Sequence, residues 1–182
     1  MRWRDLFDDL EATVRADARR ELDAEVADRV RRERALIGLY ERLAAARGRP
    51  VVLHCAGAGL LRGRVDDLGD GWVVLVGDRG GQALVALAAV RAVDGLGPGA
   101  DLTAAPGRRF GLGFALRALS RDRAAVRVVD VDGAVREGHL VAVGSDVVDL
   151  REHPVDVPGR AREGRVVVVA QAALAALLTG PW

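Results

Sequence analysis

The chain contains no lysine and no asparagine, and all 27 of its basic residues are arginine. That bias matches the codon usage of a GC-rich genome, so arginine abundance alone does not point to an anionic ligand. One cysteine in 182 residues excludes an internal disulfide and a zinc site of several thiolates, and it fits a reducing compartment. Aromatic residues make up 4% of the chain while half of it is hydrophobic. The core must therefore be built from Val, Leu and Ala, and rings for stacking on bases are scarce. A formal net charge of +1 excludes a global attraction for nucleic acid or an anionic membrane. No apolar run reaches the roughly 18 residues of a membrane-spanning helix, and the start, MRWRDLFDDLEA, is too acidic and interrupted for a signal peptide. A soluble cytoplasmic protein without a membrane partner is expected.

What the chain does have is a repeat. Residues 51–75 and 126–150 superpose without a gap after a shift of 75 positions, placing Gly63 on Gly138, Gly69 on Gly144, Val73 on Val148 and Leu75 on Leu150. Alternating stretches then predict five short strands in the first copy: around Val51–Cys55, around Leu61–Asp66, over residues 72–76, over 82–87 and over 90–93. Gly63 and Gly138 fall inside a second strand, where the absence of a Cβ permits a sharp bend, so both are read as structural. The third-to-fourth connection of the second copy, residues 151–164, is longer than its counterpart and carries Pro154 and Pro158.

Residues 3–47 contain one glycine, Gly38, and no proline. Trp3, Phe7, Leu10 and Val14 step along one helical face, and acids lead arginines in the order that a helix dipole favours. One bent helix or two broken near residues 17–20 both fit, and packing, dimerisation or docking of a protein partner would occupy such a surface. Gly48 and Pro50 stop the helix. Residues 96–107 read as a Gly/Pro-rich linker, and residues 108–123 as a short helix with Phe110, Phe114, Leu116 and Leu119 apolar. The expected organisation is a helical extension over 1–35, a helix-plus-barrel repeat over 36–95, the linker, and a second repeat over 108–182. In fold-class terms this is α+β: a long N-terminal helical segment followed by two tandem five-stranded barrels, each preceded by a short helix.

A short helix followed by five bent strands, with glycine in strand two and an apolar pair around a tight last turn, resembles the Sm-like (LSm) and SH3-like small barrels. The resemblance spans about 36–93 and 108–177. The family's first motif is matched at Gly63, Val65 and Leu68, but its Asp, Met and Asn positions hold Gly69, Trp72 and Val73. The second copy has Gly144, Val147 and Val148 there. The Arg-Gly of the second motif falls on Ala86 and Leu87, then on Ala170 and Gln171. The resemblance thus implies an RNA-binding frame without the residues that read uridine. The whole chain is also similar to proteins of GC-rich bacteria labelled Fis-family regulators. That label implies a C-terminal helix-turn-helix, whereas VVVVAQAALAALLTG at 166–180 reads as a strand and an apolar turn.

No catalytic constellation emerges. His54 and Cys55 are strand neighbours and point to opposite faces. His139 and His153 lack a second ligand at metal spacing, Asp66 and Asp67 are expected to face opposite ways, and Gly57-Ala58-Gly59 lacks the lysine of a phosphate loop. The expectation is a non-enzyme with no cofactor and no metal. One local charge excess remains: Arg108, Arg109, Arg117, Arg121, Arg123 and Arg127 oppose only Asp122 between residues 107 and 128. The first five are the candidate nucleic-acid contacts, with RNA favoured over DNA. The alternative is an adaptor that binds only protein. Because an unpaired strand edge invites pairing, self-association through edges or through the long helix is also expected.

Overall fold

The structure is a computed structural model that describes residues 19, 22, 24–31, 35, 37–152 and 164–182. The chain divides into two units, Met1–Gly38 and Leu39–Trp182. In the first, residues 19, 22, 24–31 and 35 are helical; the remaining residues of the expected extension over 1–35, including the stripe from Trp3 to Val14, lie outside the described residues. A helix continuing to residue 47 is not formed. Residues 37–38 are non-helical, and a new six-residue helix, α1 (Leu39–Ala44), begins after Gly38. Glycine in a helix interior costs about 1 kcal/mol relative to alanine, which makes this the natural place to break.

The second unit runs β1 (Pro50–Cys55), β2 (Gly59–Gly69), β3 (Trp72–Val76), β4 (Gln82–Ala86), β5 (Val90–Asp94), α2 (Leu112–Arg121), β6 (Ala125–Asp130), β7 (Val135–Val143), β8 (Val147–Glu152), β9 (Val166–Ala170) and β10 (Leu174–Thr179). Single 3-10 turns, Leu87–Ala89 and Gln171–Ala173, join β4 to β5 and β9 to β10. All ten strands form one antiparallel sheet in the order β5-β1-β2-β3-β4-β10-β6-β7-β8-β9.

This overturns the expectation of two tandem Sm-like or SH3-like barrels. The periodicity locates the strands well, but it does not say which copy's strands they pair with. The decisive pairing is β4 with β10, where Val85 faces Ala176, Leu84 faces Leu177 and Ala83 faces Leu178. On its other side β10 pairs with β6. The last strand of the second copy therefore lies inside one continuous sheet and fuses the halves.

The reason is the demand for burial on two faces. In β4, Ala83 and Val85 belong to one core and Leu84 to another; in β10, Ala176 belongs to the first and Leu177 to the second. The first core gathers Leu43, Val51, Leu53, Val65, Val73 and Leu75, all 3% exposed or less. The second gathers Trp72, Leu116, Val126, Val128, Leu140, Val148 and Leu150. Because β3, β4 and β10 are covered on both faces, their sequences WVVLV, QALVA and LAALLT are nearly continuous apolar runs. Strands with one wet face would alternate instead.

The internal repeat survives at the level of register. Val51 pairs with Gly63, and Val126 with Gly138. A bulge falls between Val65 and Asp67 in β2 and at the equivalent place, between Leu140 and Ala142, in β7. The Gly/Pro-rich segment after β5 is tied down rather than loose. Arg42 Nη2 donates to the Gly97 carbonyl at 3.1 Å, Tyr40 Oη to the Ala104 carbonyl at 2.8 Å, and the Asp101 amide to the Glu41 carbonyl at 2.9 Å.

Candidate nucleic-acid interface

The arginine-rich stretch 108–123 is two elements, not the single short helix expected. A 3-10 turn, Leu102–Arg109, ends at Phe110, and α2 starts at Leu112 with Gly111 as its extended N-cap. The break is held by the β2–β3 turn and the first residue of β3. Both the Trp72 Nε1 and the Asp70 amide donate to the Phe110 carbonyl, at 2.8 and 2.9 Å. Trp72, 5% exposed, reaches this carbonyl because Gly69 leaves room for its ring: a Cβ on Gly69 would lie 2.5 Å from the indole.

Leu116, fully buried, anchors α2 on the second core, with Leu112, Ala115 and Leu119 beside it. At 100° per residue the opposite face carries Phe114, Arg117 and Arg121, spaced three and four apart. Phe110, just before the helix, stacks on Phe114 with ring centroids 4.5 Å apart and planes at 38°. Both rings stay in contact with solvent, at 46% and 43% exposure. The result is an outward stripe of two phenylalanines followed by two arginines.

Each expected contact residue can now be placed. Arg117 and Arg121 are exposed on this stripe, and the Arg117 guanidinium folds over Gly113 in the turn before it. Arg109 is exposed at the end of the 3-10 turn, next to Phe110; Arg108 belongs to the same turn, its side chain lying outside the described part. Arg123 follows the helix in a left-handed conformation, with φ 49°. No ion pair engages Arg109, Arg117, Arg121 or Arg123 among the described residues. Arg127, by contrast, is on β6 and pairs with Glu137 at 2.8 Å. The sequence shows Phe110, Phe114, Leu116 and Leu119 as apolar without dividing them between faces. The spacing of Phe110 and Phe114 with Arg117 and Arg121, out of phase with Leu112, Leu116 and Leu119, is the signal that separates the two faces.

Beside the stripe lies an open cavity of about 240 Å³. Trp72, Val74, Leu84, Leu119 and Leu177 supply its apolar wall, and Asp66, Asp67 and Asp122 its carboxylates. Asp66 and Asp67 were expected to face opposite ways, as strand neighbours do. The β2 bulge, which falls between Val65 and Asp67, removes that alternation, and both are exposed at the same cavity. Asp67 is engaged by Arg47 at 2.7 Å.

His54 and Cys55 are separated as their strand positions require. His54 Nε2 meets Asp94 Oδ2 at 2.8 Å on the outer surface, while Cys55 is 8% exposed within the first core. Burial pushes the Cys55 thiol up to about 11. The folded state therefore keeps a proton that the unfolded chain sheds near pH 9, and stability falls as pH rises from about 9 toward 11. Urea melts at pH 8 and pH 10.5 are expected to show a larger drop for the native sequence than for Cys55→Ala. Equal drops would remove the account. Among the described residues no three of His, Cys, Asp and Glu converge as metal ligands; His153 lies outside the described residues. No described helix is long and apolar enough to cross a membrane.

No known family model matches the chain, and no curated protein is significantly similar to it. Together with the single fused sheet, this withdraws the resemblance to Sm-like barrels and to regulators labelled Fis-family. The functional reading must therefore rest on the surface of this chain alone.

Proposed function

We propose that the protein is a non-enzymatic binding module that holds single-stranded nucleic acid, RNA before DNA, on the outward stripe of α2. The observation that carries this reading is the exposed Phe110–Phe114 pair in line with Arg117 and Arg121, neither of which has an ion-pair partner among the described residues. Exposed rings bind unpaired bases, at about 1–3 kcal/mol per stacked base, and free guanidinium groups bind phosphates. Duplex nucleic acid hides its base faces, so the rings favour single strands. Arg109 flanks Phe110 and extends the same surface. A cytoplasmic setting agrees with the single free cysteine.

The test is anisotropy of labelled single-stranded RNA, single-stranded DNA and duplex across a salt series. Affinity for the single strands is expected to fall steeply with salt, because phosphate contacts release counterions. Changing Arg109, Arg117 and Arg121 together to Ser should weaken binding to all sequences alike, by roughly tenfold or more at low salt. Changing Phe110 and Phe114 to Ala should weaken single-strand binding by about tenfold and remove the preference over duplex. No binding at low salt would overturn the proposal.

A second reading has its own observation. The cavity beside α2 combines an apolar wall with Asp66 and Asp122, a surface that accepts a basic or apolar side chain and repels phosphate. In that reading the protein is an adaptor for a protein partner, with the N-terminal helical segment as a further contact. Loss of partner binding on Asp66→Arg, with oligonucleotide binding absent throughout, would establish it over the first.

A further inference from the structure

Among the described residues the sheet has two open edges, β5 and β9, and the repeat identifies what each would pair with. Val93 faces Leu53 in the β1–β5 pair as Leu177 faces Val128 in the β6–β10 pair, and Leu53 corresponds to Val128 in the 75-residue repeat. So β5 is the counterpart of β10. Both pairs even carry the same irregularity, at Arg91 and at Ala175. By the same logic Val168 faces Asp149 as Leu84 faces Val74, and β9 is the counterpart of β4. Within the chain β4 and β10 are paired with each other. Their counterparts β9 and β5 are paired on one side only, with β8 and β1, and lie at opposite ends of the sheet with no partner for the outer edge among the described residues.

The side chains follow this division. Leu84 is 4% exposed in the junction, while its counterpart Val168 is 62% exposed. Ala176 is fully buried, while its counterpart Ala92 is exposed. The β9 sequence is VVVVA, without charge or proline, although those are the usual means of protecting an edge. In β5 the charges Arg91 and Asp94 flank an uncharged centre, Ala92 and Val93.

We propose that β9 of one copy pairs antiparallel with β5 of a second copy of this chain, repeating between molecules the β4–β10 junction inside each. The internal register sets the external one. Val169 lies opposite Ala92 and Val168 opposite Val93, as Val85 lies opposite Ala176 and Leu84 opposite Leu177. The interface joins two different edges, so it is head-to-tail: the copy that contributes β9 retains its β5 edge, and the copy that contributes β5 retains its β9 edge. Assembly closes into a ring if the rotation permits and otherwise extends.

The test uses the full chain with Val168→Lys and Ala92→Lys, each at an exposed position, with circular dichroism melts to show that both variants fold like the native protein. Sedimentation velocity at micromolar concentration is expected to give native assemblies larger than a dimer and single copies for either variant alone. An equimolar mixture should give a one-to-one dimer. In it, the intact β9 of the Ala92→Lys chain meets the intact β5 of the Val168→Lys chain, and the spoiled edges end the chain on both sides. A monomeric native protein, variants that assemble as the native protein does, or a mixture that stays monomeric would each overturn the proposal. Oligonucleotide binding is read separately on α2, so either result leaves that question distinct.

Discussion

Gly138→Val is expected to destabilise the sheet by roughly 3 kcal/mol or more, at or above the upper end of the usual cost of overpacking. A Cβ built on Gly138 lies 2.0 Å from the Arg151 carbonyl oxygen and 2.8 Å from its carbon. Those are backbone atoms of β8, held in register by pairing with β7 and with β9, so no side chain can swing aside to relieve the clash. Gly63 presents the same problem in milder form, with the Val76 carbonyl oxygen at 2.6 Å. Neither glycine has a left-handed φ, so conformational freedom is not what is being protected. The need is close approach between strands. The expected order in urea melts is therefore native, then Gly63→Ala, then Gly138→Ala, with Gly138→Val worst. For a unit of this size a loss of about 3 kcal/mol lowers the melting temperature by roughly 6–12 °C. An unchanged midpoint for Gly138→Ala would discard the close-approach explanation.

These two glycines also mark how far the sequence could be read. Their alignment under the 75-residue shift exposed the repeat, and with it strand positions and the special character of the second strand. Alternation does not say where a sheet ends, so the partner of β10 stayed hidden. The clue was present in LAALLT, a run with no wet face, which reads equally as a strand closing its own barrel or as one buried between two others. At the candidate interface the arginines were legible by count, while the stripe was not. Treating residues 108–123 as one helix hid the break at Phe110–Gly111, which depends on the Trp72 indole from a strand about 40 residues earlier. The cavity could not be foreseen for a related reason. A bulge reverses strand alternation, and only pairing reveals the one that places Asp66 beside Asp67.

Leu177→Asp is expected to unfold both halves together, and this result most directly separates one fused sheet from two independent barrels. Leu177 is 2% exposed and lies in the second core, yet it faces Leu84 of the first copy across the β4–β10 pair. Truncating a buried leucine to alanine typically costs about 2–5 kcal/mol. A carboxylate adds the cost of burying a charge without a partner, and the total rivals the roughly 5–15 kcal/mol that holds a whole domain together. Loosening β10 uncovers β4 on one side and β6 on the other, so each half loses a strand. Ala83 and Val85, buried in the first core, sit on the strand thus exposed. Amide exchange is the suitable measurement because it reports the halves separately. Protection at Val51, Leu53 and Val73 should fall in step with protection at Val126, Val128 and Val148, and Leu177→Ala should lower both sets by a similar, smaller amount. If the first three amides kept native protection while the second three lost it, β10 would belong to the second half alone and the continuous sheet would be refuted.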